Sequence, residues 1–284
     1  MNERDALGML AREVPGAGDD AAVVGTSVLT TDMLHETTDF PSGVTRYTAG
    51  WRAVAASLSD VAAMGAAAEA AVAVYAAPTF EDEEIRSFVR GARDVCATAD
   101  AEYVGGDLDE TEEFTVSTTA LGRTDDPVWR SGAETGDAVC VTGELGRTAA
   151  ALELFERGEH DRGNDLFRFE PRVAAGVSLR PHATAMMDVS DGLARSLHQL
   201  GEASDCGFEI ERDTVPIHPA VTETTDGPNA RFDAATTVGE DFELLCTVPE
   251  ADLDAAREEC PTQLTRIGTV TERTASEDRV TVDG

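Results

Sequence analysis

The sequence has 284 residues, enough for one large domain or two of ordinary size. It carries 55 acidic residues against 22 basic ones, for a formal charge of −33, and every basic side chain is an arginine. Such a surface offers no basic stripe to nucleic acid phosphates, and it suits a salt-rich cell interior where screening limits self-repulsion. Because 42% of the residues are apolar, disorder is not expected.

The sequence also bears on where the protein resides. Its first residues, Met1-Asn-Glu-Arg-Asp-Ala6, lack the basic and apolar regions of a signal peptide, and no uncharged apolar run is long enough to span a bilayer. The five cysteines are widely spaced and form no C-x-x-C pair, so buried, reduced thiols are expected rather than a zinc site. We therefore expect a cytoplasmic protein that binds neither nucleic acid nor membrane.

The first half of the chain begins with a predicted short helix at residues 4–13 and then alternates short apolar strands with two longer helices. A strand ends at Val24, and further strands are predicted at 27–32, 70–75, 102–107 and 114–121. One helix begins near Tyr47, and a second follows a cap at Thr79 and is acidic in its first turn. The segment from Gly122 to Pro127 is the best candidate for a domain boundary.

The second half repeats this alternation. Strands are predicted at 137–143, 185–189, 207–211, 243–248 and 264–269, helices at 145–157, 193–203 and 249–259, and a polar loop at 160–172. The sequence therefore predicts an α+β fold of two domains, residues 1–125 and 126–284.

The stretch from Ala53 to Ala68 contains one charged residue, Asp60, among small side chains. This composition is typical of a helix that packs closely on several sides. A carboxylate in such a surface is expensive to desolvate unless a cation or hydrogen-bond donors meet it, and no arginine lies between Arg52 and Arg86. Asp60 could cap a neighbouring helix, but a role as metal ligand is the interpretation we favour.

Aspartate recurs at the ends of apolar segments, beside glycine, serine or threonine. These segments end in Asp19-Asp20, Thr30-Thr31-Asp32, Ser59-Asp60, Gly105-Gly106-Asp107, Asp188-Val-Ser-Asp191 and Gly239-Glu240-Asp241. Each alone is a common turn or cap, but together they favour Mg²⁺, which prefers oxygen ligands and is usually shared with substrate phosphates. The glycines let backbone N–H groups approach phosphate oxygens. The pattern favours phosphoryl transfer, although no Walker motif and no protein-kinase signature is present.

A family resemblance rests on seven motifs in a fixed order. They are Gly18-Asp-Asp-Ala-Ala22, Thr30-Thr-Asp32, Ser57-Leu-Ser-Asp-Val-Ala-Ala-Met-Gly-Ala66, Gly105-Gly-Asp107, Arg130-Ser-Gly-Ala133, Asp188-Val-Ser-Asp-Gly-Leu193 and Gly239-Glu-Asp-Phe-Glu-Leu244. This order resembles the thiamine-monophosphate kinases, and with the acidic composition it indicates a halophilic archaeal member. The resemblance implies ATP-dependent phosphorylation of thiamine monophosphate to thiamine diphosphate. It also implies the fold of aminoimidazole ribonucleotide synthetase, with a sheet-and-helix N-terminal domain that pairs in a homodimer and a C-terminal α/β sandwich domain.

The resemblance also implies roles for individual residues. The implied Mg²⁺ ligands are Asp20, Thr30, Thr31, Asp32, Asp60, Asp107, Asp188 and Asp191. The implied ATP contacts are Gly106, Asp107, Arg130 and Ser190, and Glu240 resembles a substrate contact. We expect direct in-line transfer without a general base, because the acceptor phosphate oxygen is already ionised at neutral pH.

One departure from the family pattern and several rival functions stay open. Where the family usually has His before Phe, this sequence has Asp39-Phe40; Asp39 could face the cationic thiazolium, or His35 could take over. A cyclo-ligase or selenophosphate synthetase of the same superfamily is a rival, although the reactive cysteine and lysine that the latter needs near its N-terminus are missing. A hydrogenase-maturation relative would need a C-terminal cysteine in place of Asp283-Gly284. A non-catalytic acidic protein that binds divalent cations is a rival of another class.

Overall fold

The computed structural model describes residues 9, 13–14, 17–273 and 279–283, which form two β-sheets with helices packed against them. The strands are β1 Ala22–Val24, β2 Ser27–His35, β3 Ala67–Ala77, β4 Glu102–Glu110, β5 Thr115–Arg123, β6 Ala138–Thr142, β7 Ala185–Asp188, β8 Cys206–Glu211, β9 Leu244–Val248, β10 Leu264–Glu272 and β11 Val280–Asp283. The helices are α1 Glu36–Asp39, α2 Arg46–Ala63, α3 Asp82–Thr98, α4 Arg147–Glu156, α5 His160–Phe167, α6 Val173–Leu179, α7 Leu193–Ser204, α8 Pro219–Thr224, α9 Pro228–Thr237 and α10 Leu253–Glu259.

The first sheet has the strand order β1-β2-β5-β3-β4, and one of its faces is covered by α2 and α3. All its neighbouring strands are antiparallel except β3 and β4, which are parallel and are connected through α3. The two helices pack closely because glycine stands where they touch. A Cβ on Gly50 would lie 2.1 Å from the Phe88 carbonyl oxygen, and one on Gly91 would lie 2.0 Å from that of Tyr47. Because most residues of α2 are small, neighbouring elements approach it closely, and the helix is buried on nearly all sides.

The other face of the first sheet is apolar and exposed. Alternate residues of a strand point to opposite faces, and those that point away from α2 include Leu29, Met33, Val72, Val74 and Val104. Val104 is 58% exposed and Met33 is 54% exposed. An apolar surface of this kind marks an interaction site more often than a solvated face.

The second sheet has the strand order β11-β8-β10-β6-β9-β7, and every residue of β6, β7 and β9 is buried. Val139 and Val141 belong to a core cluster that includes Leu197 of α7. Cys140 and Cys246 face the opposite way, into a cluster that also contains residues of α2 and α6. Both faces are covered, which explains why these strands read as continuous apolar runs.

The α+β two-domain prediction is confirmed by this architecture. The first sheet ends at Arg123 and the second begins at Ala138, while the division between residues 125 and 126 stays a prediction. In the part of the chain that the structure describes, no helix is long and apolar enough to cross a membrane.

The short helix predicted at 4–13 lies largely outside the described residues, and two other local predictions are wrong. The polar segment 160–172 contains α5, because the buried Asn164 side chain accepts a hydrogen bond from Thr45 N and donates to the Gly43 and His160 carbonyls, while Phe167 enters the core. The acidic helix α3 begins at Asp82 with Glu81 at its N-cap, so Thr79 is not the cap. The short helices α6, α8 and α9 were not predicted, because segments of six to ten residues carry too little periodicity to recognise.

Candidate active site

Three aspartates from distant parts of the sequence meet in the folded chain. Asp20 precedes β1, Asp60 lies in the last turn of α2, and Asp188 ends β7. One carboxylate oxygen from each lies within 4.8 Å of the other two. Asp188 is 1% exposed and Asp20 is 9% exposed. We call these three residues the carboxylate cluster.

Burial and the charges of neighbouring carboxylates favour protonation of two members of the carboxylate cluster, Asp60 and Asp188. Desolvation, aided by the charge of Asp20, raises the pKa of Asp188 to about 7. Burial and then the charge of Asp188 hold the pKa of Asp60 well above its ordinary value. The hydroxyls of Ser59 and Ser190 lower the pKa of Asp188, yet its Oδ2 makes no well-formed hydrogen bond within the described residues. A buried carboxylate oxygen without a donor, beside two other carboxylates, fits a divalent cation.

Arg130 supplies positive charge at the edge of the carboxylate cluster. Its Nε and Nη2 donate to the two oxygens of Asp20 at 3.0 and 2.7 Å. Its backbone N–H donates to Asp19, whose pKa is raised to about 6 by burial and by the charge of Asp20. The Asp19-Asp20 pair therefore fixes both the backbone and the side chain of Arg130, a predicted ATP contact.

Strand β2 brings two more predicted residues to the carboxylate cluster. Thr30 donates a hydrogen bond of 2.6 Å to Asp60 Oδ2. Asp32 is close enough for its charge to raise the pKa of Asp60, and burial raises the pKa of Asp32 itself. Thr31 points to the opposite face of the sheet, where its hydroxyl donates to the Thr118 carbonyl. Within one chain, the Thr31 side chain and the Thr30 side chain therefore do not face the same site.

Gly106 and Asp107 lie apart from the carboxylate cluster. They are on β4, which is separated from β2 by β5 and β3, a distance of about 14 Å at about 4.8 Å between neighbouring strands. Asp107 is paired in register with Val74, a residue of the exposed apolar face. The structure thus does not bring Asp107 to the other predicted ligands within a single chain.

The remaining predicted residues share a cleft of about 440 Å³. Asp39, Ser190, Asp191 and Glu240 all line this cleft, together with the aromatic rings of Phe40 and Phe167. The segment 188–191 connects it to the carboxylate cluster, because Asp188 is buried in the cluster while Ser190 and Asp191 reach the cleft. Asp191 pairs with Arg195 at 3.1 Å and does not join the cluster.

Two further residues support the cleft: Arg52, which no sequence motif indicated, and Asp241, which the Gly239-Glu240-Asp241 motif contains but to which it assigns no role. Arg52 lies on α2 and donates to Glu240 Oε2 at 2.7 Å. The Asp241 carboxylate accepts hydrogen bonds from the N–H groups of Gly146 and Thr148 at the start of α4. The available signal for Arg52 was a lone charge directly before the run of small residues that contains Asp60.

Comparison with known proteins reveals clear relatives. Residues 18–124 match the family model described as AIR synthase related protein, N-terminal domain, and residues 134–281 match the corresponding C-terminal domain. The thiamine-monophosphate kinase of Halobacterium salinarum is 58% identical over all of this chain and 96% of its own length. That of Methanospirillum hungatei is 38% identical over all of this chain and 96% of its own length.

Solved structures agree with the sequence comparison. The structure described as AaThiL complexed with AMPPCP and TMP superposes with a TM-score of 0.88 at 29% identity, covering 99% of this chain and 93% of that one. The thiamine-monophosphate kinase of Stenotrophomonas maltophilia superposes with a TM-score of 0.84 at 31% identity, covering 99% and 95%. The similarity therefore spans both sheets.

Proposed function

The chain belongs to the thiamine-monophosphate kinase family, and from this premise we propose that it transfers the γ-phosphoryl group of ATP to thiamine monophosphate, yielding thiamine diphosphate and ADP. The observation that carries the proposal is the 58% identity to the Halobacterium salinarum kinase over the whole chain. The buried carboxylate cluster beside a cleft of small-molecule size supports it independently.

We assign Mg²⁺ to the carboxylate cluster. Asp20, Asp60 and Asp188 offer oxygen ligands close together, and Thr30 fixes the orientation of Asp60. Bound Mg²⁺ would neutralise phosphate charge as two anionic substrates approach. Asp32 lies close enough to extend this site toward the substrates. Thr31 and Asp191 remain proposed ligands whose side chains lie outside the carboxylate cluster.

The cleft beside the carboxylate cluster suits thiamine monophosphate. Its volume of about 440 Å³ falls in the range of small-ligand sites. Three carboxylates, those of Asp39, Asp191 and Glu240, line it and favour the cationic thiazolium by charge. Phe40 provides apolar surface for the rings. We therefore propose that the organic part of the substrate occupies this cleft and its phosphate points toward the cluster.

ATP needs separate contacts for its phosphates and its base. Arg130 bonds Asp20, and the Ser190 hydroxyl lies beside Asp188; these two residues are our proposed phosphate contacts. A second cavity of about 380 Å³ lies beside Gly106 and Asp107 and is walled by Tyr75, Phe88 and Tyr103. Aromatic walls of this kind suit a nucleobase.

A homodimer would explain the position of Asp107. Asp107 lies about 14 Å from β2 across the sheet, on the exposed apolar face that includes Met33 and Val74. A second copy of the chain is the occupant we propose for this face, and a metal or nucleotide contact by Asp107 then belongs to a site shared between copies.

The acidic, lysine-free surface further supports a halophilic protein, and a cytoplasmic location without nucleic acid partners stays a prediction.

Turnover measured with an Asp60→Asn variant tests the proposal. ADP release is followed with ATP, thiamine monophosphate and Mg²⁺, at low and at multimolar KCl. We expect the wild type to release ADP only when all three are present, and the variant to be slower by about 100-fold or more, because a lost metal ligand removes charge neutralisation.

The matched control is Asp137→Asn. Asp137 is also buried, but it accepts hydrogen bonds from Thr184 and from the Glu134 N–H, away from the carboxylate cluster. This variant should keep its turnover even if it is less stable. A wild type that releases no ADP with thiamine monophosphate, or an Asp60→Asn enzyme as fast as the control, would contradict the proposed function.

A further inference from the structure

Arg52 is a buried cation whose side-chain hydrogen bonds, within the described residues, all go to the second half of the chain. Its side chain is 3% exposed. Nη1 donates to the Phe167 carbonyl at 2.7 Å, and Nη2 donates to Glu240 Oε2 at 2.7 Å and to the Glu240 carbonyl at 3.2 Å. The guanidinium also lies over the Phe167 ring, 3.6 Å from its centre. A buried guanidinium is costly unless partners of this kind surround it.

The segment that receives Arg52 has a strained backbone. Glu240 has φ +68° and Phe242 has φ +54°, a left-handed conformation that is unfavourable for a residue with a side chain. Contacts on every side hold the segment in place. The Glu240 N–H donates to the Ser190 carbonyl, the Asp241 carboxylate accepts from the start of α4, and Phe242 stacks on Phe169 at 4.3 Å. Such strain persists where the surroundings over-determine the backbone, commonly at functional sites.

The strained segment presents one free carboxylate oxygen. The Glu240 side chain is 37% exposed and lines the cleft. Its Oε2 is held by Arg52, whereas its Oε1 accepts no hydrogen bond from the described part of the chain. Arg52 therefore restricts the rotation of Glu240 and leaves one oxygen for a ligand in the cleft.

The same helix carries Arg52 and a member of the carboxylate cluster. Arg52 and Asp60 both lie on α2, eight residues apart, an axial separation of about 12 Å at about 1.5 Å per residue. A helix buried on nearly all sides does not bend easily. Helix α2 therefore sets the distance between Glu240, at the cleft, and the carboxylate cluster, where phosphate charge would be neutralised.

We infer that Arg52 is a positioning residue for thiamine monophosphate: it holds Glu240 so that the free carboxylate oxygen faces the cationic end of the substrate at a set distance from the carboxylate cluster. This inference rests on the proposed function, since it names how the same cleft holds its substrate. Arg52 acts through Glu240 and contacts neither ATP nor the reacting phosphates.

The test compares Michaelis constants for the two substrates. Arg52→Met should raise the KM for thiamine monophosphate about 10-fold or more, because Glu240 loses its anchor, and should leave the KM for ATP within about twofold. Arg52→Lys keeps the charge but loses the planar fork of donors, so it should raise the KM for thiamine monophosphate less than Arg52→Met does. Arg172→Met is the matched control, because Arg172 makes a similarly close pair with Glu243, only three residues from Glu240 but outside the cleft. The control should lose stability without changing the KM for thiamine monophosphate.

A double-mutant cycle separates positioning from stability. If Arg52 acts through Glu240, the KM increase caused by Arg52→Met disappears in a Glu240→Gln background. Equal effects of Arg52→Met in both backgrounds, or equal increases in both Michaelis constants, would overturn the inference while the kinase function stands. If Arg52→Met does not fold, Arg52→Lys takes its place in the cycle. An increase in the KM for thiamine monophosphate that is the same with Glu240 and with Gln at that position then overturns the inference in the same way. A wild type without thiamine monophosphate turnover overturns the proposed function and this inference together.

Discussion

Replacing Asp188 with asparagine should stabilise the metal-free protein while it abolishes turnover. Asp188 is 1% exposed, and its Oδ2 lacks a well-formed hydrogen bond within the described residues. Burial raises its pKa from 3.8 to about 7, so the ionised form is disfavoured in the folded state. Asparagine has nearly the same shape, carries no charge, and can donate to the Asp20 or Asp60 carboxylate.

The magnitude follows from the two pKa values. The penalty is absent below about pH 4, where Asp188 binds a proton in both the folded and the unfolded state. As the pH rises from 3.8 to about 7, the unfolded state loses the proton first and the folded state loses stability. Above pH 7 the penalty is complete, at up to about 4 kcal/mol for about three pKa units. For a chain of this size, that corresponds to an increase in Tm of about 5–10 °C in the variant.

Thermal unfolding in excess chelator, at several pH values, measures this effect. The difference in Tm between Asp188→Asn and the wild type should be small near pH 4 and should grow up to pH 8. Adding Mg²⁺ should raise the Tm of the wild type by mass action and have much less effect on the variant, and turnover of the variant should fall about 100-fold or more. A variant that is less stable than the wild type at pH 8 in chelator, or that retains turnover, would refute this reasoning.

Two further predictions concern neighbours of the carboxylate cluster and of the cleft. Thr30→Val removes the hydroxyl that donates to Asp60 and should raise the Mg²⁺ concentration for half-maximal turnover about 10-fold. Its control is Thr118→Val, where the lost hydroxyl donates to the Ala53 carbonyl instead; an equal Mg²⁺ requirement in both would contradict the assigned role of Thr30. Gly239→Ala places a Cβ 2.3 Å from the Ser190 carbonyl oxygen, so the backbone around Gly239 must shift. The KM for thiamine monophosphate should therefore rise about 10-fold. An unchanged KM would show that this backbone does not shape the cleft.

Much of the fold was predictable because local sequence carries its signals. The alternation of apolar strands with amphipathic helices indicated an α+β protein, and the small residues around Asp60 indicated a closely packed helix, which is α2. The polar composition of segment 160–172 predicts a loop, because the features that make it helical are tertiary. Its Asn164 is satisfied by the Gly43 carbonyl and the Thr45 N–H, more than one hundred residues away in the sequence.

The sequence by itself determined the class of chemistry, since the acidic motifs and their order are local properties that need no coordinates. Only the tertiary structure decided which of these residues meet. It joins Asp20, Asp60 and Asp188 but leaves Asp107 at the far side of the first sheet, and it pairs Arg52 with Glu240 across 188 residues of chain. The physical reason is that proximity depends on strand order, on the face to which each side chain points, and on the packing of helices between sheets. A motif read along the chain encodes none of these.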